Sequence, residues 1–336
     1  MDLGQIDESI ARSGGAALDD TQDATYCWPM SEISGAVEAG FFRASAEVQW
    51  DILALGEVML RFDPGEGRIH TCRQFGVGEG GGEYNVARGW SRVFGKKAGI
   101  LTALVDNPVG QLVESLILSG GVDASPIRWV PGDGAGRLVR NGLNFTERGF
   151  GPRAGLGCSD RGHTAISQLR PEDIDWQQLL AGGVGLLHTG GIYAALGEHS
   201  PDVAEVAMKK VREQGGRVSY DLNYRPSLWG ADQERAQVVN RRLVSEVDIL
   251  FGNEEDFCEA LGFRIEGLDV HRGGRLDHRS YVKMLREVAR QYPQLRVIAT
   301  SLRVASSATE NLWGGLLYQT ERDEVAYIEP QSTLIL

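Results

Sequence analysis

Between Asp51 and Phe62 the chain reads DILALGEVMLRF, a near-continuous apolar run of strand length. Such a run suits a strand with helices over both faces. RIHTCRQF then reads as a more exposed strand, Glu83 to Phe94 as a helix, and AGILTALV as another buried strand. NPVGQLVESLILSGG has helical apolar spacing and a glycine stop. SPIRWV and RLVRNGLNF alternate as further strands.

The second half repeats the alternation. GVGLLHTGG reads as strand, SPDVAEVAMKKVREQGG as helix, and RVSYDLNYR as a strand running into a loop. DQERAQVVNRRLVSEV (helix), DILFGN (strand) and EEDFCEALG (helix) follow, then YVKMLREVARQY (helix) and LRVIATS (strand). NLWGGLLYQT and DEVAYIE read as the last strands. Strands alternating with helices specify an α/β fold around a mostly parallel sheet. With no internal repeat and no low-complexity linker, one domain with a small exposed β appendage is expected. Residues 1–45 differ, being rich in Gly, Ala, Ser and Asp, with one short helix predicted around SEISGAVEAGFF. They read as a leader or weakly ordered extension, leaving 46–336 as the domain.

Charge narrows the function. The formal net charge of −12, from 46 acids against 34 bases, argues against a nucleic-acid or anionic-membrane surface. It leaves an anionic small substrate open, because local arginines override net charge. The 4 cysteines form no C-x-x-C pair, which removes the usual zinc spacing and any disulfide framework; a cytoplasmic setting is the simplest expectation. No apolar run approaches bilayer length, and MDLGQIDESIARSGG lacks the pattern of a secretory signal. The 6 histidines show no metal spacing, so no metal site is assigned.

The chemistry gathers around GVGEGGGEYNVARGW, Gly76 to Trp90. Three readings stay open from these residues alone. Gly76 to Gly81 matches G-x-G-x-x-G, and the following helix, strand and Asp106 complete a dinucleotide-like unit for NAD. The run also reads as a turn that lets strand and helix pack closely. In the third reading, Gly80 to Asn85 turns bare amides and an Asn side chain toward a polar ligand, with Asn85 also capping the helix.

GGGEYNVARGWSRVFG resembles the sugar-binding signature of the ribokinase-like (PfkB-type) carbohydrate kinases. SYDLNYRPSLWG resembles the D-x-N-Y-R-x-x-L-W stretch of 2-keto-3-deoxygluconate kinases within that family. LLHTGGIYAAL and DILFGNEEDFCEALGF fall in the family's order and spacing. Glu83, where the general signature prefers a small residue or Pro, matches the ketodeoxygluconate branch. The resemblance runs from about Asp51 to about Thr300. It implies a ribokinase-like sheet with helices on both faces and a small β lid near 63–78 and 128–150. It further implies ATP with Mg²⁺ as cofactors, a sugar-acid substrate and a homodimer through the lid.

The same resemblance places Gly81, Gly82, Glu83, Tyr84 and Asn85 against the sugar. Asn223, Tyr224 and Arg225 would line nucleotide phosphates just past a strand end, with Arg225 also reaching substrate; a guanidinium suits carboxylate and phosphate alike. Asn253 and Asp256 fall at the family's N-x-x-E position, linked to Mg²⁺ and phosphate. Capping accounts for them equally well without any metal. Arg140 and Arg148 lie in the lid region and could meet a carboxylate, a solvated arginine being the default for each. The family's lid tyrosine is replaced by Leu138.

One element of the family pattern has no counterpart. A late G-x-G-D turn supplies the family's anion hole and its catalytic base, and no such motif follows LRVIATS. Pro131 to Gly136, with similar letters, reads as a hairpin turn. The expectation is therefore a C-terminally incomplete kinase fold with weak turnover, the catalytic residue unassigned. A non-catalytic sugar or nucleotide binder and an NAD-dependent oxidoreductase using Gly76 to Asp106 are the alternatives.

Overall fold

The computed structural model describes residues 45–230, 232–264, 278–305 and 307–334, together with 25–26, 41 and 43. The helix expected around SEISGAVEAGFF lies outside the described residues, apart from Phe41. A short strand, β1 (Thr25–Tyr26), precedes β2 (Trp50–Leu55), which is buried along its whole length. The apolar run from Asp51 to Phe62 is two strands, not one. It breaks at Gly56, where any Cβ would run into the Glu83 carboxylate, and leaves the core as β3 (Met59–Asp63). RIHTCRQF is not a strand either: the next one is β4 (Gly76–Gly80), the glycine run itself.

There follow α1 (Gly82–Phe94), β5 (Ala98–Leu101), β6 (Ala103–Asp106), α2 (Pro108–Ser119), β7 (Arg128–Pro131), β8 (Leu143–Glu147) and β9 (Leu156–Asp160). The second half runs α3 (Trp176–Leu179), β10 (Val184–Gly190), α4 (Gly191–Ala194), α5 (Ser200–Glu213), β11 (Arg217–Asp221), α6 (Pro226–Trp229) and α7 (Gln233–Val244). Then come β12 (Ile249–Phe251), α8 (Glu254–Asp256) with a π-helical turn at Phe257–Leu261, α9 (His278–Gln291), β13 (Val297–Ala305), β14 (Glu310–Gln319) and β15 (Glu324–Leu334).

The main sheet has the order β1-β15-β14-β13-β12-β11-β10-β2-β5. Its centre, β13 to β5, is parallel, as the alternating pattern demands, while β14 and β15 extend it antiparallel and β1 joins β15 in parallel. Side chains on alternate positions serve two cores. Leu53, Leu187, Val218 and Leu250 face the layer of α5, α7 and α9; Ile52, Ala54, Leu186 and Ile249 face that of α1 and α2. Burying both faces is what makes β2 and β10 read as unbroken apolar runs.

The lid is a four-stranded sheet, β4-β3-β8-β9. Of the segments expected to form it, 63–78 and 128–150 supply parts of β3, β4 and β8; β9 lies outside both, and β7 pairs with β6 instead. The face that Leu60 and Leu143 turn to the α1/α2 core also carries Phe62 stacked on Phe145 at 4.8 Å, with Phe75 edge-on to both. Buried Glu147 holds the β3–β4 connection to the lid by accepting from Ile69 N and the Arg68 guanidinium, each at 3.1 Å. On the far side the β13–β14 turn touches the lid, Ala308 N donating to Gly151 O at 2.9 Å.

Candidate functional site

Open parallel sheets bind ligands beyond the C-terminal ends of their strands, and there this chain gathers its unusual groups. α1 begins at that edge. Gly81 is its N-cap, in extended backbone, and a Cβ there would run into the Glu57 carbonyl oxygen. That glycine is thus dictated by packing. Gly82 differs: a Cβ on it would meet only Asn223 Nδ2 at 3.8 Å and Ile192 Cδ1 at 3.9 Å, ordinary contacts. Gly82 therefore faces the strand-end loop that carries Asn223, Tyr224 and Arg225.

Glu83 follows, 3% exposed. Burial raises its carboxyl from 4.5 to about 7, against the lowering effect of its own amide and of Arg161, and with Asp221 adding repulsion. Among the described residues Glu83 Oε2 finds no hydrogen-bond partner. A buried carboxylate oxygen without a donor is costly, and the cost falls when a ligand hydroxyl supplies the proton. Asp221, at the end of β11, is likewise raised from 3.8 to about 7 by burial and by Asp256, with Arg225 opposing. One buried and one half-buried carboxyl, both raised to about 7, thus stand beside the N-terminus of α1.

Asn223 holds φ at +35°, a left-handed conformation that asparagine tolerates, and donates to Asp221 at 3.3 Å. Tyr224 is buried in the core, and its amide donates to Asp256 Oδ1 at 2.7 Å. Asp256 also accepts from Asn253 N at 2.8 Å, while Asn253 Oδ1 accepts from Asp256 N at 2.9 Å. Asn253 and Asp256 thus make a capping box that joins two strand-end loops. Arg225 is exposed, with one bond to the Tyr224 carbonyl at 2.8 Å, so most of its donors face outward.

The remaining expected contacts lie elsewhere. Tyr84 points into the α1/α2 core, its hydroxyl donating to Glu79 at 2.9 Å. Asn85 is exposed inside α1, with Gly81 as the cap in its place. Arg140 forks onto Asp160 and also reaches Gly162 O at 2.7 Å. Arg148 is paired with Asp63 at 2.7 Å on the lid's outer end. Pro131 to Gly136 is a loop ordered by Asp133, whose carboxylate accepts from Ala135, Gly136, Arg137 and Leu138 amides.

Sequence reasoning missed the pair that links lid and body. Arg161, one residue past β9, donates from Nε to Glu57 Oε2 at 2.6 Å, with side chains 13% and 2% exposed. Burial raises the Glu57 carboxyl, and Arg161 pulls the other way. Glu57 immediately follows the break in the apolar run, the one signal that could have drawn attention to it. Among the described residues no group of three His, Cys, Asp or Glu side chains is arranged to hold a metal ion.

A mostly parallel α/β sheet with a β lid over its C-terminal edge is the ribokinase-like architecture. The chain belongs to the pfkB family of carbohydrate kinases, whose pattern matches residues 50–301. It is 31% identical over 212 residues to a 2-dehydro-3-deoxygalactonokinase of Haloferax volcanii, covering 63% of each chain. It is 27% identical over 211 residues to a 5-dehydro-2-deoxygluconokinase of Clostridium tetani, covering 62% of this chain and 58% of the relative. The chain spans about three-fifths of the length of the curated relatives it matches. The crystal structure of a Thermotoga maritima 2-dehydro-3-deoxygluconokinase superposes with a TM-score of 0.75 at 34% identity, covering 85% of this chain and 81% of that one. A Pyrococcus horikoshii sugar kinase solved with ATP shares the fold, with a TM-score of 0.59 at 18% identity, covering 83% and 76%.

Proposed function

We propose that this chain binds a ketodeoxy sugar acid between the lid and the Gly82–Glu83 turn, as an ATP-dependent kinase of the 2-keto-3-deoxygluconate type. The observation that carries the reading is Glu83: a buried carboxyl balanced near pH 7, with one oxygen lacking a donor, beside the unobstructed Gly82. A sugar hydroxyl supplies that donor. Arg161, at the root of the lid, donates to Glu57 through Nε alone and would turn its Nη groups to the substrate carboxylate, whereas Arg140 and Arg148 each place two donors on Asp160 and Asp63.

The phosphate side is Arg225 with the Asn223 and Asn253 loops. ATP supplies the γ-phosphoryl group. Asp256 is taken up by two backbone amides, so exposed Glu255 is the carboxylate of this turn that would hold a Mg²⁺ bound with the triphosphate, where the ion would offset phosphate charge. Arg225 orients the phosphates and offsets their charge. The base that would receive the hydroxyl proton is left unassigned among these residues.

Titration calorimetry with 2-keto-3-deoxygluconate, beside a coupled assay for ADP release, tests both parts. Binding of the sugar acid is the expected result. A folded sample that binds no sugar acid would overturn this reading.

A further inference from the structure

The lid sheet has two unlike faces. Along β3, Leu60 and Phe62 turn to the α1/α2 core, so the alternate positions Met59, Arg61 and Asp63 share the other face. Gly80, opposite Met59, and Gly78, opposite Arg61, lie on that second face, as does Asn144 beside Arg61 on β8. The second face looks over the site. It runs at its root into Gly81, the N-cap of α1, and then into Gly82, which faces Asn223.

The arginines at the root and the tip of this face are matched by carboxylates. Arg161 donates to Glu57, and Arg148 donates to Asp63. Arg61, midway between them, is exposed, and among the described residues no hydrogen bond or ion pair holds its guanidinium. Its charge reaches Asp63 only through space, helping to lower that carboxyl. Asn144 is already occupied, accepting from Ser159 Oγ at 2.9 Å and donating to Thr146 Oγ1 at 3.0 Å. The uncompensated positive charge of the face is thus carried by Arg61.

An arginine left to solvent projects freely from its strand, whereas Arg61 lies in a prepared bed. A Cβ on Gly78, directly opposite, would meet nothing within 4 Å. One on Gly80, the next position toward the root, would run into Arg61 Cδ and stand 3.1 Å from Cγ. The side chain therefore leans diagonally down the lid with its stem across Gly80, a reach open to long side chains in an antiparallel pair. Its guanidinium is carried toward the Gly81–Gly82 turn, and the missing side chain at Gly80 keeps that path clear.

We infer that Arg61 is a specificity-determining residue of this site, closing on the substrate carboxylate from the β4 side while Arg161 stands on the β9 side. The inference rests on the sugar-acid reading above and adds what selects an acid over a neutral sugar of the same shape. The charge of Arg161 is balanced by Glu57, so its Nη groups orient the carboxylate; Arg61 brings the charge that neutralises it.

Titration calorimetry of the full chain tests this by comparing 2-keto-3-deoxygluconate with 3-deoxyfructose, in which a hydroxymethyl group replaces the carboxylate. Arg61→Gln is expected to weaken binding of the acid about tenfold or more and to leave the neutral sugar within about twofold, at an unchanged melting temperature. Arg61→Lys, which keeps the charge without the fork, is expected to fall between Arg61→Gln and the parent. Gly80→Ala, whose methyl group displaces the Arg61 stem, should reproduce the loss in a chain that melts like the parent. An Arg61→Gln chain that binds the acid as tightly as the parent, or that loses both ligands equally, would overturn the inference and leave the sugar-acid reading standing. A folded parent chain that binds no sugar acid would overturn both.

Discussion

Arg161 Nε lies 2.6 Å from Glu57 Oε2, and with that bond the root of the lid is tied to the loop leaving the first core strand. Removing one partner strands a buried charge. Arg161→Ala should cost about 3–5 kcal/mol of stability, read as a lowered denaturation midpoint, whereas Glu57→Gln, which strands no buried carboxylate, should cost less. Equal, negligible effects from both would show the pair to be solvated.

The two neighbouring glycines at the start of α1 should behave differently. Gly81→Ala forces a methyl group into the Glu57 carbonyl, and should destabilise by about 1–3 kcal/mol. Gly82→Ala meets only ordinary contacts and should melt like the parent chain while weakening sugar-acid binding. Chemical denaturation beside calorimetry separates these outcomes.

Glu83 predicts a pH dependence with a definite sign. Its folded carboxyl, near 7, holds a proton that the ordinary carboxyl at 4.5 releases. The associated stability is fully present below pH 4.5 and is lost as pH rises through 7. For one group the slope is at most ~1.4 kcal/mol per pH unit. Glu83→Gln should flatten the fall in stability across this window, leaving the part contributed by Asp221, itself raised from 3.8 to about 7. If the Glu83→Gln chain kept the parent's full slope, this assignment would be contradicted.

Arg148 should matter little to stability. Its pair with Asp63 is largely exposed, at 70% and 35%, and such pairs are worth about 0–1 kcal/mol. Arg148→Ala should leave both the melting temperature and sugar-acid affinity close to the parent's. Arg161→Lys, which keeps the charge but not the fork, should weaken affinity measurably.

The legible and illegible parts of this chain divide along physical lines. Helices α1, α5, α7 and α9 show a 3.6-residue apolar stripe, and β10 an unbroken apolar run; both follow from burial against a layer and can be read locally. The position of Arg225 past a strand end was also legible, because the apolar run before DLNYRP stops where the polar residues begin. The glycine run misled: Gly76 to Gly80 has few side chains to show alternation, so a strand looked like a turn. Glu57 and Arg161 stand 104 residues apart, and only the lid's register brings them together. The same register joins Arg148 to Asp63 across 85 residues, a neutralisation that no local pattern announces.

The seam between Gly151 and Ala308 bears on how anything gets in. It consists of one backbone hydrogen bond beside small residues, with Gly149 pressed so close that a Cβ there would stand 2.8 Å from that of Ala308. A bond of that kind contributes only about 1 kcal/mol net. An entering ligand would have less to break at this edge than at Arg161, whose pair with Glu57 is largely buried.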